Sequence, residues 1–547
     1  MVKKSMKKLF VGLAAFSAVS ICASADTLTT SQNFFQPRAF SANLAREMLM
    51  EGSKHRDSNG WYGEFSATAA YQRSWSQGME TSAGVDLGDS VNGLGVHPFW
   101  SGTNVMTVGV NDGVSNLDAY QFGLGDLTYV AGSSITLNPI VYQAGADFMF
   151  IVGSSANEPC FFAKIKAPVG VYNINPNLVE ELTMTPVVYA ANEIALTSSA
   201  MTDVVAETMT QAFAGNLSGG QTAAGNFTAM QYGLINGDIS TGAKFGDIEM
   251  TAGYRFISND DNSFSVAVRA SAPTGGAAQG VYMMEPIFGR GGNWGLGGYM
   301  DGHVKLWEGN NENNFELRMI ANAMHLFNAD TVRSYDLTTN GGGSKYLLVG
   351  NFTGGVYQST IQNLINYSTL ASTSSFGVEG DVALSFAYNA RGWSFDLGYE
   401  FWGRSAETLV ITGDFSSEAY AVLGRQWVNS STSGTAANTA QPLAEINLAV
   451  TQSAAVAQST GTAIAAAQTD VVNAALSGNR IALADLDDSG AQQATALTSK
   501  VFSKVTYEWM DSDYRPHLGV MGEFEISMSD NNALPQWGVS LVGGVSF

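Results

Sequence analysis

Two histidines have acidic residues at the spacing that puts side chains on one face of a strand. His303 stands two residues from Asp301 and from Lys305, and His517 shares its parity with Glu523 and Glu525. Imidazole beside carboxylate can serve as a general acid–base, and beside a serine it can activate a nucleophile. No G-x-S-x-G and no zinc motif accompanies either histidine, so a lone polar histidine is the simpler reading. Asp485-Leu486-Asp487-Asp488-Ser489-Gly490 begins like a calcium loop, but Ala496 occupies the twelfth position, where a bidentate Glu is required. Gly289-Arg290-Gly291-Gly292-Asn293-Trp294-Gly295 is rich in glycine yet lacks the Lys-Ser/Thr and helix of a phosphate loop, and reads as a turn. Cys160 lies in an apolar run as a small buried hydrophobe. We expect no catalytic, cofactor or metal site, and not an enzyme.

The remaining charged side chains suit a different task, lining an aqueous passage. Their placement follows parity. Segments such as Trp61–Trp75, 140–152, 161–167, 248–256 and 264–272 alternate apolar with polar residues, which on a strand separates the two faces. Further segments are Trp294–Leu306, Phe315–Ala323, Val378–Tyr388, Trp393–Phe401, Val501–Trp509, Leu518–Met528 and Trp537–Phe547, twelve strong ones in all. The polar face collects the acids Glu64, Asp147, Glu249, Asp301, Glu316, Glu379, Asp381, Asp396, Glu400, Glu508, Glu523 and Glu525. It also collects the bases Lys164, Lys166, Arg255, Arg269, Lys305, Arg318, Arg404 and Lys504, whereas the apolar face holds only Arg73, near a segment end. A cation facing lipid at mid-depth costs about 2–4 kcal/mol, which explains so clean a face.

Composition supports the same view. Of 547 residues 45% are hydrophobic and only 14% charged, too few charges for a soluble surface of this size. The formal net charge of -22 with only 26 Lys plus Arg argues against nucleic acid as a partner. The 10 Trp, 20 Tyr and 29 Phe argue against intrinsic disorder. Residues 1–25 carry a cationic start, an apolar run from Leu9 to Ile21 and Ala23-Ser24-Ala25, which together predict a secretory signal peptide cleaved after Ala25. No later run is long and apolar enough for a transmembrane helix.

Segments of about 9–11 residues cross a bilayer as tilted strands, and strands in lipid must close to pair their backbone. The expected fold is all-β: a closed antiparallel transmembrane β-barrel of 12–16 strands, centred on 14, with helical inserts in long loops. Weaker strand candidates lie near 104–111, 118–131, 226–236, 345–353 and 420–428. Residues 26–60 form an N-terminal segment lying in the periplasm or entering the lumen, with a short helix capped by Ser41, carrying Leu44 and Met48, and stopped at Gly52. The barrel spans 61–547, with large inserts near 174–244 and 428–500. Ser198–Gly215 carries a helical stripe through Val204, Val205, Thr208, Met209, Ala212 and Phe213. Leu448, Val456, Ile464, Val471, Val472 and Leu476 suit weak amphipathic helices.

The C-terminal run from Gln536 through Trp537, Val539, Leu541 and Val545 to Phe547 resembles the last strand of Gram-negative outer-membrane barrels. The segment 135–139, followed by 140–152 and 161–171, is similar to uncharacterised porin-like barrels. The first resemblance implies outer-membrane lipid as surroundings, recognition of Trp537, Val539, Leu541, Val545 and Phe547 by the barrel-assembly machinery, and termini on the periplasmic side.

The expected function is a porin-like channel passing small hydrophilic solutes with mild cation preference. Glu379, Asp381, Asp396 and Glu400, opposed by Arg255, Arg269 and Arg318, would set its field. A surface adhesin or structural barrel acting through acidic loops is the alternative, and a hydrophobic-solute transporter a further one. A homo-oligomer is left open.

Overall fold

The computed structural model describes residues 34, 36–52, 60–74, 105–109, 117–118, 133–137, 139–155, 158–181, 208–215, 221–222, 225–259, 261–309, 313–338, 343–353, 356–429, 440–444, 480–512, 514–528 and 533–547. The signal segment 1–25 and the helical run from Leu448 to Leu476 lie outside these residues.

Twelve strands form one closed antiparallel ring. They are β1 Tyr62–Ser74, β2 Ile140–Gly153, β3 Cys160–Asn175 and β4 Ile248–Asn259. β5 Asn262–Ala272, β6 Gly295–Glu308, β7 Asn314–Ser334 and β8 Thr369–Ala390 follow. β9 Trp393–Arg404, β10 Ala496–Glu508, β11 Pro516–Ser527 and β12 Gln536–Ser546 complete the wall. Each pairs with its sequence neighbours, and β12 pairs with β1 from Glu64↔Ser546 to Ser74↔Gln536. The terminal residue extends this seam, since Phe547 N–H donates to Gly63 O at 2.9 Å and Gly63 N–H to Phe547 O at 2.7 Å.

The strand number is therefore 12, not the central expectation of 14. The twelve strong period-two segments are the twelve barrel strands. Four of the five weaker candidates form strands, at Val105–Gly109, Gly225–Thr228, Leu348–Thr353 and Tyr420–Asn429, but these pair in smaller sheets outside the ring; the fifth, 118–131, lies outside the described residues apart from Asp118.

Connections divide the two ends. β2–β3, β4–β5, β6–β7, β8–β9 and β10–β11 are joined by short turns, and the start of β1 and end of β12 lie at that same end. At the β8–β9 turn Arg391 and Gly392 both have positive φ, 49° and 83°. That is the primed geometry whose twist matches the flanking strands. The opposite end carries the long loops. The described parts of the connections after β1, β3, β5, β7, β9 and β11 share one apolar core at the barrel mouth and form a cap. Its six-stranded sheet holds the Leu348–Thr353 and Tyr420–Asn429 strands, and its core includes Phe213, Tyr346, Leu348, Leu364, Ile365 and Val422. Within the predicted stripe 198–215, the described part holds a helix at Met209–Phe213, capped by Thr208.

Outward side chains are apolar. Val268, Leu397, Val520 and Leu541 are exposed in mid-strand, and Trp61, Trp307, Trp393 and Trp509 ring the short-turn end. Trp393 and Trp509 both pack against Tyr507, each with ring centroids 4.9 Å apart. An apolar band edged by aromatics is a surface shaped for a bilayer. Arg73 faces outward, next to the long-loop end of β1.

Candidate functional site

The lumen is filled by the protein's own N-terminal segment. Residues 36–52 run along the barrel axis. Phe34 lies at the long-loop end, 3.3 Å beneath the guanidinium of Arg333, and Gly52 donates to Glu64 at the short-turn end. Inside, helix α1 Leu44–Met50 forms from strong helix formers, Leu, Ala, Arg, Glu and Met. Asn43, not the expected Ser41, is its cap, with Oδ1 accepting from Arg46 N–H at 2.9 Å. Ser41 instead lends its carbonyl to Lys166 Nζ at 2.6 Å.

Two kinds of contact hold α1. Leu44, Ala45, Met48, Leu49 and Met50 pack on inward-facing apolar side chains, among them Met149, Ile151, Phe162, Ile320, Phe502 and Met521. These lie on the face that parity assigns to polar groups, so the wall is mixed. The second kind is ionic. Arg38 pairs with Glu400, with Asp381 at 3.5 Å and with Glu525 at 3.2 Å. Arg46 pairs with Asp147. Glu47 lies 2.6 Å from Arg269, 3.2 Å from Lys166 and 3.4 Å from Lys164, and Glu51 also pairs with Lys164. The Leu44 and Ala45 amides donate to Glu400, Asn43 Nδ2 donates to Glu523 at 3.0 Å, and Lys504 donates to Met48 O at 2.7 Å.

The wall charges named from parity take these places. Glu249 joins Lys166 at 3.0 Å and Arg290 at 2.8 Å. Glu379 meets Arg290 at 2.7 Å, and Arg404 reaches the carbonyl of Gln36 at 2.8 Å. Arg255 donates to Tyr62 at 3.0 Å, and Asp301 accepts from Ser265 at 3.2 Å. Glu316 pairs with Arg318, and Glu508 is buried on β10. Lys305 sits at the short-turn rim with Asp261 and Glu308 rather than in mid-lumen. Arg318 is a correction. Expected to oppose the acids, it stands beside them on β7, 3.9 Å from Asp396.

Sequence parity missed Arg38, Arg46, Glu47, Glu51, Arg290 and Lys500. The first five lie outside strands. Lys500 lies in β10, which begins at Ala496, ahead of the segment assigned from Val501. Its ammonium lies 3.2–3.6 Å from Glu523, Glu400 and Glu525. Arg290, in the glycine-rich turn, is fully buried and ties cap to lumen: it donates to Glu379, Glu249, Ser271 and Ser41. Phe40 of the segment packs on Phe288 beside it, with centroids 5.3 Å apart.

Asp247, just outside β4, accepts from the amides of Arg290 at 2.6 Å and Gly275 at 3.0 Å. Burial pushes its carboxyl up to about 6, while the Arg290 guanidinium and the two amides pull it down. His303 Nδ1 lies 2.6 Å from Ser263 Oγ, which also accepts from the His303 amide. Asp301, on the same face, accepts from Ser265. Asp487, from the calcium-loop-like stretch, caps a helical turn by accepting from the Ser489 and Gly490 amides. Among the described residues no cluster of three or more His, Cys, Asp or Glu is placed to hold a metal.

Most of the lumen charges are buried. Glu400 is 0% exposed, Lys500 1% and Asp381 2%. Isolated ions would cost several kcal/mol each there, and mutual pairing offsets that cost.

No family model matches the chain, and no curated relative matches it. Solved structures similar to it include an outer membrane channel from Pseudomonas putida F1, 9% identical, covering 91% of this chain and 99% of that one with a TM-score of 0.36. The P. putida toluene transporter TodX is 7% identical over 95% of this chain and 98% of that one, TM-score 0.29. The beta domain of the Bordetella autotransporter BrkA is 8% identical over 90% and 100%, TM-score 0.29. The barrel assignment rests on the strand registers, not on these likenesses.

Proposed function

We propose that the chain is a gated outer-membrane channel for small hydrophilic solutes, with residues 34–52 as its gate. The observation carrying this is the chemistry of the fit. Beside its apolar contacts the segment meets the wall through a set of ion pairs, and the lumen charges it covers are those an aqueous passage would present to solutes. Buried pairs are held tightly against loss of one partner but are nearly balanced against hydration of both. A segment so bound can leave as a unit, each surface taking up water. The apolar contacts of α1 with the wall are what such an exit must give up.

In this reading the signal segment is removed after Ala25, and the machinery that assembles outer-membrane barrels recognises Trp537, Val539, Leu541, Val545 and Phe547. The short-turn end faces the periplasm and the cap faces outward. The surplus of acids over bases on the wall gives a mild cation preference.

Planar-bilayer recording tests the proposal. Full-length protein should show brief, infrequent openings, and protein lacking residues 26–52 should show steady conductance favouring cations. Silence from both proteins would overturn it.

The ordered cap favours a second reading, a surface interaction module acting through its loops. Deleting residues 343–363 should then abolish binding to a partner while leaving conductance intact.

A further inference from the structure

Resting on the channel reading above, we infer that the solutes this lumen selects are dipolar: small zwitterions such as amino acids and short peptides.

The observation is the separation of charge between two opposite walls. Strands β3–β5 carry four inward cations, Lys164, Lys166, Arg255 and Arg269, against the single acid Glu249. Strands β8–β11 carry seven inward acids against three cations, Arg404, Lys500 and Lys504. In a ring of twelve, these groups of strands face each other across the axis. Pairing within each wall leaves a surplus on both. Glu249 lies 3.0 Å from Lys166 and 3.7 Å from Arg269 but serves no other cation of its wall, and Lys500 is shared among Glu400, Glu523 and Glu525.

The N-terminal segment already solves this field as a dipole. Its carboxylates Glu47 and Glu51 turn to the cationic wall, where they meet Arg269, Lys166 and Lys164. Its guanidinium Arg38 turns to the acidic wall and meets Asp381, Glu400 and Glu525. Arg46 departs from this axis, pairing with Asp147 on β2. When the segment withdraws, the vacated charges face each other across water. A zwitterion can satisfy both walls at once by lying across the axis. An ion of one sign satisfies one wall and leaves the other unpaired, and an uncharged polyol gains from neither.

Proteoliposome swelling tests this, using the full-length protein and the protein lacking residues 26–52. The probes are glycylglycine, erythritol of similar size, sodium propionate and ethylammonium chloride. Glycylglycine should enter about tenfold faster than erythritol, and faster than either salt. That preference should fall toward parity in Lys166→Gln/Arg269→Gln and, independently, in Glu400→Gln/Glu525→Gln. Heat-modifiable mobility confirms that each variant still closes its barrel, and one folded pair of the two suffices. Equal entry of glycylglycine and erythritol, or faster entry of a salt, overturns the inference while the channel reading stands. No entry of any probe, with no conductance, overturns both.

Discussion

Arg38 Nη1 lies 3.2 Å from Glu525 Oε1, joining residues 487 apart in sequence across the interior of the barrel. The same guanidinium reaches Asp381 and Glu400, so one side chain neutralises carboxylates from β8, β9 and β11. Replacing it with methionine leaves Glu400 and Glu525 to share Lys500 with Glu523, and Asp381 with only the amide of Asn322, a penalty of about 3–5 kcal/mol on the closed arrangement. Single-channel recording of Arg38→Met should show openings far more frequent than in wild type. An unchanged open probability would remove Arg38 from the gate.

Asn43 both caps α1 and donates to Glu523. Asn43→Ala should cost the helix about 1 kcal/mol, and Asn43→Ser should recover the cap. Hydrogen exchange of the amides at 44–50 reads this directly: faster in the alanine variant, near wild type in the serine variant. Equal protection in all three proteins would mean that packing alone holds the helix.

Asp247 gives the cap a pH dependence of definite sign. Its carboxyl titrates near 6 in the folded chain and near 4 when unfolded, because burial disfavours the charge. Between these values the folded state binds the proton more firmly, so this group contributes more stability as pH falls from about 6 to about 4. The stability of wild type relative to Asp247→Asn should therefore rise over that window and level off on either side. A difference that falls with acidification would reverse the assignment.

Leu397 is exposed in the middle of β9 on the lipid face. Leu397→Arg should destabilise refolding into bilayers by about 2–4 kcal/mol. Urea titration in lipid vesicles measures it. A change below 0.5 kcal/mol, within the usual scatter of surface substitutions, would show that this face does not meet hydrocarbon.

The wall was legible because period two is written into every strand. Val268 outward and Arg269 inward follow from parity alone, and so do Glu400 and Asp381. The weak candidates raised the expected count because a short strand in the cap, such as Leu348–Thr353, has the same local pattern as a barrel strand. Only its pairing partners differ. The N-terminal helix was legible, and its entry into the lumen was one of two expectations, but its ionic partners were not. Arg38 and Glu47 sit in a stretch whose charges find their partners more than a hundred residues away, and no local spacing records that. Arg290 was hidden by its setting. The glycines around it indicated a turn correctly, with φ of 71° at Gly291 and 93° at Gly292, but not that the turn lowers a guanidinium into the lumen. Arg318 went to the wrong wall because parity gives the face of a strand and not its position around the ring.

The seam between β1 and β12 also limits how the segment can leave. The strands that close the ring are the first and the last made, and residues 34–52 precede both. The segment is enclosed by a ring whose first and last strands meet, with Phe547 bonded to Gly63. Once enclosed it cannot slip out sideways between hydrogen-bonded strands. It is tethered to β1 at the short-turn end, and the cap covers the other. In the channel reading, the way out for residues 36–52 is the short-turn end, where their own chain is anchored to β1.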